Sequence, residues 1–174
     1  WKLVDLGGGI GLWSNFFADK LKSVTLVEKE LSFIEIAKKI AKENINIIHS
    51  DVVDFNQNDN VYDVVFVSGV TIYLNDKSLN RLMIKIKKYL KPNGLFLHRD
   101  AYGVDEDFIL KKKFSDNLKM DYSAIYRSRI NYDKIFVDKF NFKKDYDNDF
   151  YPKQSIHNNR SETRLRFAIY INNK

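Results

Sequence analysis

The stretch VDLGGGIGLW at residues 4–13 constrains the fold more than any other part of this sequence. A short apolar run from Lys2 to Leu6 ends at three consecutive glycines, and apolar residues then recur at helical spacing from Leu12 to Leu21. This pattern predicts a strand, a tight turn and a helix. Because glycine has no side chain, the backbone of such a turn can approach a ligand closely, so we expect a binding site here.

Strands and helices alternate along the next ninety residues. Apolar or β-branched runs predict strands at residues 23–28, 45–51, 62–69 and 94–102, and amphipathic spacing predicts helices at 31–43 and 75–90. The fourth run, YDVVFVSG, is apolar through its middle, as is typical of a strand buried on both faces of a parallel sheet. The alternation predicts an α/β fold with a doubly wound, mostly parallel sheet.

The pattern loosens after residue 103. Residues 104–120 are charged and poorly periodic, and Ser128 is a candidate N-cap for a short helix through Phe136. FNFKKDY and TRLRFAIYI are alternating runs near the end, of which we expect the second to add to the sheet edge, with a polar loop at 147–161 between them. We therefore predict a single domain over residues 1–174, with residues 1–102 as one half and 103–174 as an insert plus edge strands.

Composition excludes several classes of protein. The 174 residues contain no cysteine and three scattered histidines, which excludes a disulfide scaffold and thiolate metal sites and leaves no visible metal cluster. The net charge of +6 comes from lysines dispersed among acids, which favours a solvated surface over a nucleic-acid partner. We expect no membrane span and a cytoplasmic protein. Because a strand at residue 2 has nothing upstream to cover it, we expect an amino-terminal segment that this chain lacks, and the chain to be part of a larger one.

The register of the glycines argues against a nicotinamide or flavin dinucleotide. The dinucleotide motif G-x-G-x-x-G requires its third glycine five residues after the first, and that position is Leu12. Gly7, Gly9 and Gly11 instead complete the pattern D-x-G-x-G-x-G, which begins at Asp5.

VDLGGGIG resembles the first motif of class I S-adenosylmethionine-dependent methyltransferases, and further motifs follow in the family's order. YDVVFVSG resembles its fourth strand, and LKPNGLFLHRDAY resembles its L-K-P-G-G stretch with Asn93 in place of the first glycine. The resemblance implies a Rossmann-like sheet of seven strands with an antiparallel last strand and an amino-terminal lid. It implies S-adenosylmethionine as the cofactor, with residues 1–102 as the cofactor-binding half and residues 103–174 as the acceptor-binding insert and edge strands. The implied cofactor-binding residues are Asp5, Gly7, Gly9, Gly11, Glu28, Asp51, Val52 and Ser68.

Three of these residues are acids with distinct expected roles. The resemblance assigns Glu28 to the ribose hydroxyls, and a carboxylate suits this task because it accepts two hydrogen bonds at once. It assigns Asp51 to the adenine amino group. Asp5 is expected mainly to organise the glycine loop. The alternatives are that Glu28 is a solvated strand end and that Asp51 only begins a turn.

Methyl transfer from a sulfonium requires alignment and, for some acceptors, a base, but no general acid, because the leaving group departs neutral. Candidate catalytic residues near the ends of the fourth and fifth strands are Asp100, His98 and Tyr73, although His98 could instead point into the helix layer. Candidate acceptor-binding residues are Tyr102, Tyr122, Tyr126 and Arg127. Arg127 could hold an anionic acceptor or form a surface salt bridge.

The segment after the fourth strand limits the chemical groups that could accept the methyl group. An N-P-P-Y or D-P-P-Y motif at this place would indicate methylation of an amide or exocyclic amine, but the sequence there is SGVTIY. The chain also has no cysteine, which the cysteine-dependent methylation of cytosine requires. We therefore predict O-methylation of a small-molecule or saccharide-like acceptor. The alternatives are a methyltransferase acting on RNA or on a protein amino terminus, and a non-catalytic methyltransferase-like binding domain.

Overall fold

The structure is a computed structural model that describes residues 1–115 and 120–174, without the side chains of residues 115 and 120. In chain order the elements are β1 (Lys2–Leu6), α1 (Leu12–Ala18), β2 (Ser23–Glu28), α2 (Leu31–Ile40), β3 (Ile45–His49), β4 (Tyr62–Ser68), a 3-10 turn (Thr71–Tyr73), α3 (Asp76–Tyr89), β5 (Leu90–Gly103), β6 (Phe108–Ser115), β7 (Met120–Tyr126), α4 (Arg129–Asp133), a π-helical turn (Lys134–Lys139), β8 (Phe142–Asp149) and β9 (Thr163–Asn172). In the part of the chain that the structure describes, no helix has both the length and the apolar character of a membrane span.

Seven strands form one sheet in the order β3-β2-β1-β4-β5-β9-β8. Strands β1 to β5 are parallel to one another, and β9 runs antiparallel to both β5 and β8. This arrangement confirms the predicted doubly wound sheet with an antiparallel last strand. As predicted, β9 adds to the edge of the parallel strands beside β5, and β8 pairs with its outer side, so the edge strand of the whole sheet is β8.

Both faces of the central strands are buried. On β4, Val65 and Val67 face the core formed with α3, whereas Val64 and Phe66 pack on the opposite side with α1. Burial on both faces explains why the run is apolar throughout. Near the start of β5, where its pairing with β4 shifts register, Asn93 has a φ of 60°, in the left-handed region that asparagine tolerates better than most residues.

A hairpin that the sequence did not predict follows β5. Strands β6 and β7 pair antiparallel as a separate two-stranded sheet, in a region whose charged side chains hide the alternation. The hairpin begins and ends at neighbouring points, because the Gly103 N–H donates to the Arg127 carbonyl at 3.1 Å. Its apolar side, including Ala124 and Tyr126, packs against Ile72 of the 3-10 turn.

Helix α4 follows this junction and begins as predicted. The Ser128 side chain accepts the Asn131 N–H at 3.4 Å, which confirms Ser128 as the N-cap. The predicted helix through Phe136 is regular only to Asp133, and the next six residues form the π-helical turn. This segment buries Tyr132 and Phe136 against the sheet.

Candidate active site

The glycine turn is a backbone structure at the carboxyl end of β1. Gly7, Gly9 and Gly11 have φ values of 77°, 56° and 84°, all in the left-handed region that side chains disfavour. A Cβ on Gly7 would lie 2.4 Å from Cγ2 of Val70, so the turn packs directly against the segment after β4. Gly11 ends the turn as the N-cap of α1.

Asp5 lies beneath this turn. Its carboxylate is buried and accepts the Ser14 hydroxyl at 2.7 Å, which links β1 to α1. Burial raises the pKa of Asp5 to about 7, the Ser14 hydrogen bond opposes the shift, and the charge of Glu28 adds to it. Within residues 1–115 and 120–174, no amide of the glycine loop donates to this carboxylate, so the role of Asp5 in organising the loop stays a prediction.

A cleft of about 260 Å³ opens at the carboxyl ends of β1, β2 and β4. Six of the predicted site residues line it, namely Gly7, Gly9, Glu28, Asp51, Val52 and Tyr73. Six further lining residues were missed, namely Lys29, Glu30, Phe33, Gly69, Val70 and Leu74. Most of the missed residues directly follow a predicted strand or a predicted site residue, and that adjacency is the signal that could have found them.

Glu28 is held by three backbone amides. Oε1 accepts the N–H groups of Lys29 and Glu30 at 2.7 and 2.9 Å, and Oε2 accepts the Gly9 N–H at 2.9 Å. The carboxylate is therefore fixed at the cleft wall, and Oε2 keeps capacity for another hydrogen bond because a carboxylate oxygen accepts about two.

Asp51 begins a turn and also lines the cleft. Its Oδ1 accepts the Val53 N–H at 2.8 Å, and its carbonyl accepts the amides of Asp54 and Phe55. The two alternative interpretations of this residue are thus compatible, because Oδ2 is not used in the turn.

Two other predicted cofactor-binding residues do not line the cleft. Gly11 lies at the start of α1, and Ser68 accepts a hydrogen bond from Arg99 at 3.1 Å. The guanidinium of Arg99 in turn lies over the rings of Trp13 and Phe150. Ser68 therefore contributes to packing between β4 and β5.

A buried polar cluster behind the cleft holds Thr71, the first residue of the 3-10 turn. Asp100 Oδ2 accepts both the Thr71 N–H at 2.9 Å and its hydroxyl at 2.7 Å. The Thr71 hydroxyl oxygen also lies 2.9 Å from His98 Nε2 and 2.7 Å from the Tyr132 hydroxyl. Period-two geometry places His98 and Asp100 on the same face of β5, as the sequence predicts, but on the buried side of the turn.

Burial shifts the pKa values of Asp100 and His98 in opposite directions. Burial raises the pKa of Asp100 to about 6, against the hydrogen bonds from Thr71. Burial lowers the pKa of His98 to about 3, and the charge of Arg127 lowers it further, so this imidazole is neutral at pH 7. A neutral His98 can donate from Nε2 to Thr71 and accept from Tyr102 at Nδ1, which lies 2.7 Å from the tyrosine hydroxyl.

Arg127 clamps the 3-10 turn from the other side. Its guanidinium is 2% exposed and donates to the carbonyls of Thr71 and Leu74 at 3.2 and 2.8 Å, and to Asp76 at 2.7 Å. The predicted salt bridge is present, because the guanidinium pairs with Asp76, whose side chain is exposed, although Arg127 itself is buried. Anion binding is disfavoured, because the donors are used by Asp76 and by the two backbone carbonyls.

The four predicted tyrosines occupy different environments. Tyr73 lines the cleft with 56% of its surface exposed, and burial, followed by the charges of Asp100 and Tyr122, raises its pKa. Tyr122 is partly buried and packs with the hairpin residues against Ile72. Tyr126 is buried beside Phe108, and Tyr102 is buried against His98 and Tyr132. The structure thus places Tyr73 at the cleft and the other three in its supporting wall.

Sequence comparison identifies the family. Residues 3–94, more than half of the chain, match the family described as "Methyltransferase domain", so the chain belongs to this family. It is 30% identical over 104 residues to phosphoethanolamine N-methyltransferase 1 of Triticum aestivum, covering 57% of this chain and 21% of that protein. It is 39% identical over 90 residues to an uncharacterized RNA methyltransferase of Mycoplasma mobile, covering 49% of this chain and 24% of that protein. The chain therefore spans about a quarter or less of these curated relatives.

Solved structures share the complete fold. An S-adenosylmethionine dependent methyltransferase of Mesorhizobium loti superposes with a TM-score of 0.77 at 12% identity, covering 98% of this chain and 90% of that one. A 1,6-didemethyltoxoflavin-N1-methyltransferase of Burkholderia thailandensis, solved with S-adenosylhomocysteine, gives 0.74 at 12% identity, covering 98% and 70%. The class I Rossmann-like methyltransferase fold predicted from the motifs is confirmed.

Proposed function

We propose that this chain binds S-adenosylmethionine in the cleft and directs methylation of an oxygen on a small-molecule or saccharide-like acceptor. The observation that carries the proposal is Glu28, whose carboxylate is fixed at the cleft wall beside Gly9 with hydrogen-bonding capacity to spare. A ribose diol is the kind of ligand such a carboxylate binds. Membership of the methyltransferase family supports the same conclusion.

The lining of the cleft fits this cofactor. A Cβ on Gly9 or Gly69 would meet no atom within 4 Å, so both glycines leave open space where a ligand can approach the backbone. The lining includes the carboxylates of Glu28, Glu30 and Asp51 and the single ammonium group of Lys29. This excess of negative charge favours a positively charged ligand and would repel a pyrophosphate.

The chain's own residues must then orient the acceptor. When bound, S-adenosylmethionine would supply an electrophilic methyl group on a sulfonium and leave as neutral S-adenosylhomocysteine, and the acceptor hydroxyl would release its proton to solvent water. Tyr73 is the predicted catalytic residue that lines the cleft, and its raised pKa keeps the phenol protonated near neutral pH. We assign it to hydrogen bonding with the acceptor. Asp100 and His98 are assigned as positioning residues that act through Thr71.

Calorimetric titration tests the cofactor assignment. We expect S-adenosylhomocysteine to bind and NAD not to bind, and Glu28→Ala to weaken S-adenosylhomocysteine at least about tenfold through loss of charge-assisted hydrogen bonds. Glu35→Ala, on the exposed side of α2, is the control and should change the affinity less than about twofold. Binding of NAD in place of S-adenosylhomocysteine, or an unchanged affinity in Glu28→Ala, would contradict the assignment.

A second candidate acceptor is RNA. The Mycoplasma mobile relative, described as an RNA methyltransferase, favours it. RNA binding by phosphate contacts weakens steeply as salt increases, so titrating a single-stranded oligonucleotide at two salt concentrations separates the candidates. Tight, strongly salt-dependent binding would favour RNA over a small acceptor.

A further inference from the structure

A cavity of about 460 Å³ lies on the far side of β5 from the cofactor cleft. It is formed by the carboxyl end of β5, the start of β9, the end of β8 and the start of α4. Its charged lining residues are Arg129, Lys153, Arg164, Arg166 and Asp149. Four cations thus face one carboxylate, and the excess of positive charge is opposite in sign to that of the cofactor cleft.

Two of the arginines are held in place from behind. Asp147, whose side chain is 4% exposed, does not line the cavity but binds both arginines. Its Oδ1 lies 2.7 Å from Nη2 of Arg166 and its Oδ2 lies 2.6 Å from Nε of Arg129. Arg166 also contacts Asp149 at 2.5 Å. Fixed guanidinium groups lose little side-chain entropy when they bind an anion, so this arrangement is preorganised.

The other two cations carry uncompensated charge. Among the described residues, neither Arg164 nor Lys153 has a carboxylate within 4.0 Å. Nη1 of Arg164 donates to the carbonyls of Arg160 and Thr163, which orients the guanidinium without neutralising it. An arginine of this kind retains further N–H donors in the planar array that matches phosphate oxygens.

We propose that this cavity binds the phosphate group of a phosphate monoester, carried by the methyl acceptor. The acceptor part of this inference rests on the function proposed above. Because β5 lies between β4 and β9, the strand that borders the cleft and the strand that borders the cavity are two strand spacings, or about 10 Å, apart. A small metabolite can span that distance. A cavity of this volume is typical of small-molecule sites, whereas an RNA strand needs an extended basic track.

The test titrates the chain with inorganic phosphate and, in parallel, with S-adenosylhomocysteine, by calorimetry at low salt. We expect saturable phosphate binding that weakens as ionic strength rises. The double variant Arg164→Gln/Lys153→Gln should weaken phosphate binding at least about tenfold, because it removes two charged donors. Neither substitution leaves a buried acid without its partner, and Arg164→Gln alone serves if the double variant does not fold. Lys39→Gln, an exposed cation on α2, is the matched control and should leave phosphate binding unchanged.

The parallel titrations separate the two proposals. Failure of phosphate to bind, or equal binding by the double variant, overturns the phosphate site while S-adenosylhomocysteine binding still supports the methyltransferase function. Phosphate binding without S-adenosylhomocysteine binding overturns the acceptor assignment and the proposed function together. A single-stranded RNA oligonucleotide that binds far more tightly than phosphate, and loses its affinity in the double variant, overturns the small-acceptor assignment in favour of RNA.

Discussion

The two turns that border the cofactor cleft are built in opposite ways. The glycine turn is fixed by the backbone, through amides that donate to Val27 and Glu28 about twenty residues further on. The 3-10 turn at Thr71 is fixed by side chains that come from 27 to 61 residues further on, from His98 to Tyr132. One wall of the cleft therefore depends on backbone conformation and on hydrogen bonds to the adjacent strand, and the other depends on buried side chains from distant parts of the chain.

The largest effect is expected from breaking the clamp on the second turn. Arg127→Gln removes buried, charge-assisted hydrogen bonds to the Thr71 and Leu74 carbonyls, so we expect the free energy of unfolding to fall by about 3 kcal/mol in urea titrations. Arg81→Gln is the control, because the exposed Arg81–Asp54 pair should contribute less than about 1 kcal/mol. Equal effects of the two variants would show that the clamp does not stabilise the turn.

The next effect concerns the buried acid beneath the first turn. The folded-state pKa of Asp5, about 7, is above its unfolded value, so its contribution to stability is complete below about pH 4 and is lost as the pH rises through 7. Between pH 5 and pH 8 the unfolding free energy of the wild type should fall by about 2 kcal/mol more than that of Asp5→Asn. His98 is present in both proteins, so its opposite pH dependence cancels. Parallel pH curves would contradict the raised pKa.

The smallest effects distinguish two neighbouring glycines. A Cβ on Gly8 would lie 2.8 Å from Cγ of Leu26 and 2.9 Å from Oδ2 of Asp5, so Gly8→Ala should cost about 1.5 kcal/mol of stability. A Cβ on Gly9 meets no atom within 4 Å but enters the cleft at a positive φ, so Gly9→Ala should cost about 1 kcal/mol and weaken S-adenosylhomocysteine. Thermal unfolding and calorimetry measure the two effects. If Gly8→Ala weakened S-adenosylhomocysteine binding more than Gly9→Ala did, the assignment of Gly9 to the cleft would be contradicted.

The sequence predicted what local pattern determines. The glycine register, the acids that end β2 and follow β3, and the apolar middle of β4 each identify their element without knowledge of the rest of the chain. The sequence did not predict that position 8 must be glycine. A side chain there would collide with Leu26 and Asp5, and only the folded chain brings these residues together.

The structure of residues 103–174 was less predictable, because it too depends on contacts that only the folded chain brings together. Nothing near Arg127 in the sequence indicates that its guanidinium reaches back to Thr71 and Leu74, so its charge suggested an anionic ligand or a surface salt bridge. The hairpin β6–β7 was missed because a small two-stranded sheet with one exposed face accommodates many charged residues.

The junction at Gly103 lets the β6–β7 hairpin be replaced as a unit. Its entry and exit are joined by the Gly103–Arg127 hydrogen bond, and a Cβ on Gly103 would lie 2.0 Å from the Glu106 carbonyl oxygen, so the backbone closes on itself at this point. A closed excursion can be shortened, lengthened or grafted from another protein without shifting the strands of the main sheet. Such a change would leave the glycine turn and the cleft as they are.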